Sequence, residues 1–364
     1  MAAAGGRGFG IIGIGTIAEF HAKAIQAMEG GYLAAAYEPI AVSRAEKFSK
    51  DFGVPVFTGK IEEFLSAKGV DVVTIATPSG THMEPAVAAA NHGKHVICEK
   101  PLDVTLERCD AMINACRENK VMLAGVFQSR SLAAVKTVKA ALVEGRFGKI
   151  VFCGALIPWW REQAYYDAGG WRGTWKLDGG GALMNQSIHN LDLLQYLGGQ
   201  VAEVVGFAGC LAHNRIEVED TGVAALRFQS GALGVLMGST ACFPGEAAEV
   251  WISGDRGTAK LRGGYLASWQ FNQEQPEDAL RRIDLAPPAG LQSGAGDPKA
   301  ISFDGHQRQF ENFVRALNGK EPLLVDGTEA RKSVELILAV YESALTAKAV
   351  KLPLRKTPER AKFQ

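Results

Sequence analysis

Two features that would point to a membrane or a polyanion are missing from this sequence. No apolar run approaches the roughly 18 residues that a membrane-spanning helix needs. The 39 Lys and Arg residues balance 39 Asp and Glu residues, so no overall field exists to attract nucleic acid or an anionic membrane. The N-terminal segment also lacks the apolar core of a signal peptide. We therefore expect neither a nucleic-acid partner nor a membrane partner.

Paired cysteines are also missing. The six cysteines show no C-x-x-C spacing and fall mostly within apolar segments, at positions Cys98, Cys109, Cys116, Cys153, Cys210 and Cys242. This pattern argues against a secreted disulfide scaffold and against a structural zinc site. It predicts a cytoplasmic protein with no bound metal.

The first 128 residues carry the pattern of an α/β domain. Apolar runs without polar alternation predict buried parallel strands at Gly8–Ile12, Leu33–Tyr37, Val72–Ala76, His95–Cys98 and Met122–Val126. Segments with helical spacing separate these runs, at Thr16–Met28, Arg44–Phe52, Thr81–Asn91 and Thr105–Asn119. The alternation predicts a doubly wound parallel sheet of the Rossmann type over residues 1–128, as a dinucleotide-binding domain.

Residues 129–364 predict a second domain of α+β type, since a chain of 364 residues is long enough for two domains. A helix at about 132–144, a strand at 150–157 and a helix at 182–197 precede longer strands between residues 201 and 271. Turn residues at Ser230-Gly231 and Asp255–Gly257 predict hairpins, hence a large, mainly antiparallel open sheet. We predict an irregular excursion at 273–298 and closing helices at about 306–318 and 328–348.

The segment Gly13-Ile14-Gly15-Thr16-Ile17-Ala18 lies between the first predicted strand and the first predicted helix. In a G-x-G-x-x-A motif, Gly13 permits the tight turn and Gly15 lets the backbone approach a pyrophosphate. The amide groups of Thr16 and Ile17 would face the phosphates at the helix N-terminus. The motif by itself could mark only a tight turn, but its strand and helix context predicts dinucleotide binding.

Glu38 follows the second predicted strand, about twenty residues after the glycine motif. At that position a carboxylate can hydrogen-bond the adenosine ribose of NAD. No arginine follows directly to hold a 2′-phosphate, although Arg44 lies within reach. The sequence therefore favours NAD without excluding NADP, while a surface glutamate remains the simpler alternative.

Two further segments end predicted strands, where open α/β sheets bind ligands. The first contains Thr77, Pro78 and His82, and the second contains Glu99-Lys100-Pro101. Lys100 could exchange a proton with a substrate hydroxyl, because an ammonium that is partly desolvated beside a cationic nicotinamide deprotonates more easily. A solvated lysine that pairs with Glu99 is the alternative.

In the predicted helix after Gly179–Gly181, Asn185, His189 and Asp192 are spaced to share one face. His189 could act as an acid or base near neutral pH. The alternative is a core histidine that Asp192 satisfies. Upstream, residues 159–175 crowd tryptophan, tyrosine and arginine into a segment suited to a sugar ring and a carboxylate or phosphate, unless they only cover a domain junction.

Together these motifs resemble the Gfo/Idh/MocA family, named for glucose–fructose oxidoreductase, inositol dehydrogenase and a rhizopine-catabolism protein. The resemblance spans the chain: G-I-G-T-I-A at 13–18, A-T-P-S-x-x-H at 76–82, G-K-H-V-x-x-E-K-P at 93–101 and G-G-G-A-L-M-N-Q-S-I-H-N-L-D at 179–192. It implies a Rossmann domain, a C-terminal domain that mediates homodimer or homotetramer contacts, and NAD-dependent oxidation or reduction of a secondary alcohol on a sugar, inositol or sugar nucleotide.

The resemblance also implies roles for single residues. Lys100 is implied to be catalytic together with His189, and both to contact substrate. Thr77, Pro78, His82, Glu99, Lys100 and Gln128 are expected at the cofactor. Trp171, Arg172 and Asn185 are expected at the substrate. Asn185 replaces an aspartate that is commoner in the family, and an amide can only orient substrate. An asparagine here also resembles the branch acting on UDP-linked N-acetylglucosaminuronic acid.

Two other functions remain open from sequence. Some family relatives hydrolyse glycosides by transient oxidation at C3 while NAD stays bound. Others are non-catalytic regulators that sense nucleotides, and these tend to lack the lysine or the histidine that this chain retains at Lys100 and His189.

Overall fold

The computed structural model of the chain describes residues 6–287 and 302–359. They form two compact units. The first comprises residues up to Gln128 together with Ser302–Arg331, and the second comprises Ser129–Ile301 together with Lys332–Gln364. The predicted domain division placed residues 302–331 in the second domain, whereas the structure groups this segment with the first unit.

The first unit is built on a six-stranded parallel sheet. Its strands are Arg7–Ile12 (β1), Gly31–Tyr37 (β2), Val56–Phe57 (β3), Val72–Ile75 (β4), His95–Cys98 (β5) and Leu123–Gly125 (β6). The order β3-β2-β1-β4-β5-β6 is that of a Rossmann sheet, and it confirms the predicted doubly wound fold. Sequence analysis missed β3, whose two residues are too few to show a pattern.

Helices connect these strands. They are Thr16–Ala27 (α1), Val42–Phe52 (α2), Ile61–Leu65 (α3), Met83–Asn91 (α4) and Leu106–Glu118 (α5). The strand order reverses between β1 and β4, so the loops after these two strands flank the crevice in which such sheets bind dinucleotides.

The second unit carries an eight-stranded mixed sheet. Its helices and strands are, in chain order, Ala133–Val143 (α6), Ile150–Pro158 (β7), Gln163–Asp167 (α7), Ile188–Gly198 (α8), Val201–Gly209 (β8), Thr221–Phe228 (β9), Leu233–Ser239 (β10), Glu249–Gly254 (β11), Gly257–Arg262 (β12), Tyr265–Phe271 (β13) and Asp278–Asp284 (α9). Only β7 and β10 pair in parallel within the described sheet, so the predicted, mainly antiparallel sheet is confirmed.

Two long helices and a short strand follow residue 302: Asp304–Leu317 (α10), Gly327–Thr346 (α11) and Val350–Lys351 (β14). α10 belongs to the core of the first unit, where the ring of Phe310 stacks on Phe9 of β1 with centroids 5.9 Å apart. This packing explains why the segment returns to the first unit.

The predicted irregular excursion at 273–298 is partly wrong, because α9 occupies Asp278–Asp284. Asp278 is buried and accepts hydrogen bonds from Arg146 and from the indole of Trp269, which hold α9 against the sheet. Residues 288–298 of that prediction lie outside the described residues. Within the described ranges, no helix combines the length and apolar character needed to cross a membrane.

Candidate active site

The loop between β1 and α1 has the shape that a dinucleotide requires. Gly13 has φ of +85°, and a Cβ there would lie 2.7 Å from Cγ2 of Thr77. Gly15 is the N-cap of α1, and a Cβ on it would meet no atom within 4 Å. Open space at Gly15, beside the first turn that Thr16 and Ile17 begin, fits a phosphate at the positive end of the helix. The loop therefore fits NAD, which when bound supplies the hydride acceptor or donor.

Glu38 lies directly after β2, as predicted, but its carboxylate is turned into the protein. Its Oε2 accepts a hydrogen bond from the Ile14 amide at 3.1 Å. Its Oε1 accepts from the amides of Ile40 and Ala41 at 3.1 and 3.2 Å. The side chain is buried, so it joins the loop after β2 to the glycine loop. A carboxylate has about four acceptor positions, so one remains for a ribose hydroxyl.

We expect Glu38→Ala to weaken NADH binding by about tenfold and NADPH binding less, because the 2′-hydroxyl loses its acceptor while a 2′-phosphate gains from losing a negative neighbour. Fluorescence titration of both cofactors measures this, with Glu19→Ala on the exposed side of α1 as the control. If the substitution weakens the binding of both cofactors equally and lowers the melting temperature, Glu38 only connects the two loops and does not contact the ribose.

His82 joins two loops at the carboxyl edge of the sheet. It is 1% exposed, and its Nε2 lies 3.0 Å from the carbonyl of Thr77, whereas its Nδ1 lies 2.9 Å from the carbonyl of Pro101. The ring therefore connects the loop after β4 to the segment after β5. Its predicted cofactor contact stays a prediction. Thr77 and Pro78 remain at the carboxyl edge, directly after β4.

Glu99 and Lys100 follow β5 at the same edge. Glu99 is buried, and its Oε2 accepts the Lys100 amide at 3.1 Å. Its Oε1 lies 2.8 Å from Nε2 of His21. Burial alone would raise the pKa of Glu99, but hydrogen bonds from His21 and His306 outweigh it and hold the pKa well below its usual range. Glu99 is therefore an anion engaged inside the first unit, and its predicted cofactor contact stays a prediction. Lys100 has a partly exposed side chain, as does Gln128 after β6.

In the second unit, His189 lies in the first turn of α8 and is partly exposed. Asp192 is buried and forms a two-bond ion pair with Arg130, at 2.8 Å to Nε and 2.7 Å to Nη2. Ser333 also contacts Asp192, at 3.4 Å. Arg130 was not among the predicted residues, since the pair joins positions 62 residues apart.

Asn185 does not lie on a regular α-helix with His189. Residues Ala182–Ser187 form a π-helical turn, and α8 begins only at Ile188. The spacing argument that put Asn185, His189 and Asp192 on one face therefore does not hold, because a π turn bonds residues five apart. Such turns are frequent at functional sites.

A buried aspartate lies beside Asn185. The Asn185 amide nitrogen donates to Oδ1 of Asp178, whose Oδ2 accepts the Gly173 amide at 2.9 Å. The Asn185 oxygen accepts from Gln186 at 2.7 Å. Asp178 was missed by sequence analysis, which looked for a carboxylate at helical spacing from His189. Asp178 therefore holds the Asn185 amide in place.

Glu219 forms hydrogen bonds with the backbone of the π turn. It is fully buried and accepts hydrogen bonds from the amides of Gly181 and Leu183, at 2.9 and 2.8 Å, and from the Tyr341 hydroxyl at 2.9 Å. Burial raises the pKa of Glu219 to about 7, although these donors act against it. The glycines Gly179–Gly181 thus lead into a turn that the Glu219 carboxylate, just before β9, holds in place through two backbone hydrogen bonds.

The aromatic segment builds a stacked arginine. The guanidinium of Arg172 lies over the ring of Tyr165, 4.6 Å from its centroid, and 5.1 Å from the ring of Trp171. Its Nε is buried and finds no hydrogen-bond acceptor among the described residues. Arg161 nearby is already engaged, because its guanidinium donates to Gln186 at 3.0 and 2.7 Å. Arg172 is therefore the arginine of this segment that retains donor capacity for a ligand.

Comparison with known proteins identifies the family of this chain. A family model described as "Oxidoreductase family, NAD-binding Rossmann fold" matches residues 7–127, and the model of the GFO/IDH/MocA C-terminal domain matches residues 135–260. The crystal structure of the WlbA dehydrogenase from Bordetella pertussis in complex with NADH and UDP-GlcNAcA is 33% identical, with a TM-score of 0.85, over 96% of this chain and 98% of that one. The chain belongs to the Gfo/Idh/MocA oxidoreductase family.

Two curated relatives extend the comparison. An uncharacterized oxidoreductase of Streptococcus pneumoniae is 30% identical over 55% of this chain, and the alignment spans only 53% of that protein. The myo-inositol 2-dehydrogenase of Thermotoga maritima is 26% identical over 94% of this chain and 98% of its own length. Membership of the Gfo/Idh/MocA family confirms the predicted fold class, the NAD cofactor and the enzyme class, an NAD-dependent dehydrogenase acting on CH–OH groups.

Proposed function

We propose that this protein oxidises or reduces a secondary alcohol on the sugar ring of a nucleotide-linked uronic acid. The observation that carries the proposal is Arg172, a half-buried arginine stacked on Tyr165 whose buried Nε has no acceptor among the described residues. A planar guanidinium pairs with a carboxylate through two hydrogen bonds. The similarity to the Bordetella dehydrogenase crystallised with UDP-GlcNAcA supports the same substrate class.

In this mechanism the chain's own residues handle the proton and the placement of substrate. Bound NAD would supply the acceptor for the hydride of the carbinol carbon, so the chain's residues would have to take up the hydroxyl proton. Lys100, in its neutral form, is the acceptor that we propose for that proton, and His189 is the second acid or base that we propose for the reaction. Asn185, which is fixed by Asp178 and Gln186, orients the substrate hydroxyl. Arg172 binds the carboxylate of the substrate.

The substrate class is tested by comparing three compounds: UDP-N-acetylglucosaminuronic acid, UDP-N-acetylglucosamine and myo-inositol. We expect NADH formation with the first, and a kcat/KM about 100-fold lower for the neutral sugar, since a charge-assisted pair contributes about 1.5–3 kcal/mol. Arg172→Met should raise KM for the uronic acid about tenfold or more and leave the neutral sugar unaffected.

Arg227→Met, an exposed arginine of β9, is the matched control and should change neither value. Equal kcat/KM for the acid and the neutral sugar, or an Arg172→Met enzyme with unchanged KM for the acid, would contradict the assignment of the carboxylate to Arg172.

We further propose that the open sheet mediates a homodimer or homotetramer. Its strands alternate between buried and exposed residues, and the exposed residues include four large apolar ones: Val205 (45% exposed), Phe207 (71%), Val223 (39%) and Leu233 (54%). An uncovered apolar surface of this kind marks an association site.

Light scattering should therefore give a mass that is a multiple of 38.9 kDa at micromolar concentration. Phe207→Glu should shift the protein to monomer because it places a charge in the apolar contact. Val143→Glu, at an exposed valine of α6, should not. A wild-type monomer would refute this proposal.

A further inference from the structure

A buried cluster of two histidines and a glutamate contacts the backbone of Lys100 in the first unit. His21 comes from α1, Glu99 from the end of β5 and His306 from the first turn of α10. His21 is 0% exposed, Glu99 6% and His306 1%. Both histidines contact the same carboxylate oxygen, Oε1 of Glu99, through Nε2 at 2.8 and 3.3 Å. The cluster therefore joins three separate elements at one carboxylate.

The donors and acceptors of the cluster can be assigned. An ionised carboxylate only accepts hydrogen bonds, so each imidazole donates from Nε2. His21 also contacts the hydroxyl of Thr74 in β4, with Nδ1 2.9 Å from Oγ1, and its pKa is lowered by burial. A neutral His21 therefore accepts from Thr74 and donates to Glu99. The Nδ1 of His306 has no hydrogen-bond partner among the described residues, whereas its Nε2 contacts Glu99.

The other oxygen of Glu99 connects the cluster to the active-site lysine. Oε2 accepts the backbone N–H of Lys100 at 3.1 Å. The carboxylate is thus held on one side by two imidazoles and holds the Lys100 backbone on the other. A displacement of about 1 Å at a reacting group costs as much as 10²-fold in rate, so a fixed carboxylate matters for the lysine.

We propose that His306, acting through Glu99, is a positioning residue for Lys100. The proposal rests on the NAD-dependent activity proposed above and assigns a role to a helix that sequence analysis had placed in the other domain. It gives a reason for burying a histidine on α10, since a buried polar ring costs free energy unless it makes a needed hydrogen bond.

A metal ion at the cluster is the competing explanation, because the three ligand atoms lie within 4.8 Å of one another. The shorter of the two distances, between His21 and Glu99, favours a hydrogen bond. Two ligands at 2.0–2.1 Å from a tetrahedral zinc ion lie about 3.3 Å apart. The 2.8 Å between His21 and Glu99 is shorter than this and is an ordinary hydrogen-bond length.

The test compares two substitutions at one position. His306→Phe fills the site between Phe20 and Phe310 but removes the donor, whereas His306→Gln keeps an N–H donor. We expect the Phe variant to lose about tenfold in kcat, with KM for NAD changed less than about threefold, and the Gln variant to recover most of the loss. His92→Phe, an exposed histidine of the same unit, is the control and should behave as wild type.

A second measurement does not depend on activity. Lysines are reductively methylated with ¹³C-formaldehyde, and the Lys100 signal is assigned by its absence in Lys100→Arg. We expect this signal to shift in His306→Phe and to stay in place in His306→Gln and His92→Phe. His306→Met replaces the Phe variant if that protein does not fold, as judged from its melting curve. If the Lys100 signal shifts in His306→Phe but the wild type turns over no sugar, the contact of His306 with Glu99 still positions Lys100, and the proposed function is rejected instead.

Three results would overturn the inference. In the first, His306→Phe keeps both the wild-type kcat and the wild-type Lys100 signal. In the second, Phe and Gln variants lose activity equally, in step with their melting temperatures, which would make His306 purely structural. In the third, the purified wild type holds a stoichiometric metal ion that His306→Phe loses, which would make the cluster a metal site.

Discussion

Lys100→Met is expected to lower kcat by about 10²-fold or more while NADH affinity stays within about threefold of wild type. This is the range for losing a general acid or base, and 10²-fold corresponds to about 2.7 kcal/mol of transition-state stabilisation. Methionine keeps much of the length of the side chain but cannot carry a proton. The amide of Lys100 would still donate to Glu99, so the backbone should keep its place.

The comparison needs kcat, KM and NADH affinity on the same preparations. Lys68→Met, at an exposed lysine of the first unit, is the matched control and should leave all three unchanged. A Lys100→Met enzyme with activity within a few-fold of wild type would show that Lys100 is a solvated surface lysine.

The second large effect is expected at His189. His189→Ala should lower kcat by about 10–10²-fold with a small change in melting temperature, because the ring is partly exposed and contributes little to the core. Asp192→Ala should do the reverse. It would leave the buried Arg130 guanidinium without its partner, and such losses cost about 3–5 kcal/mol of stability. Thermal melts and kcat per folded molecule separate the two.

Asn185→Asp is a further check on this part of the site. It would place a second carboxylate against the buried Asp178. Two carboxylates in contact cannot both ionise, so the folded variant should bind one proton more than the unfolded chain. Its stability relative to wild type should then fall as pH rises above the unfolded carboxyl pKa of about 4. If instead the variant melts as wild type does at every pH between 4 and 8, the contact between Asn185 and Asp178 is wrong.

Local patterns in the sequence were enough to predict the parallel sheet and the loops at its carboxyl edge. Apolar runs located β1, β4 and β5, and the motif around Gly13 and Gly15 located the cofactor loop, because both depend on neighbouring residues. The open sheet of the second unit followed from its turn residues in the same way.

What sequence spacing could not show depends on contacts between distant positions. Asp178 reaches Asn185 only because a π turn replaces the regular helix assumed at 182–197. The partners of Glu99 lie 78 and 207 residues away, on α1 and α10, so no motif contains them together. His82 lies in a motif, but only its contacts with two carbonyls show that it connects loops.

The central claim is hydride transfer between a bound nicotinamide and a sugar carbinol, and NADH fluorescence measures it most directly. The enzyme is mixed with NAD⁺ and UDP-N-acetylglucosaminuronic acid, and NADH and free sugar are quantified together. We predict that NADH accumulates in proportion to oxidised sugar and that Lys100→Met lowers the rate of NADH formation at least 10²-fold. Release of sugar from a glycoside with no net NADH, or no NADH from any sugar, inositol or UDP-sugar supplied, would contradict it.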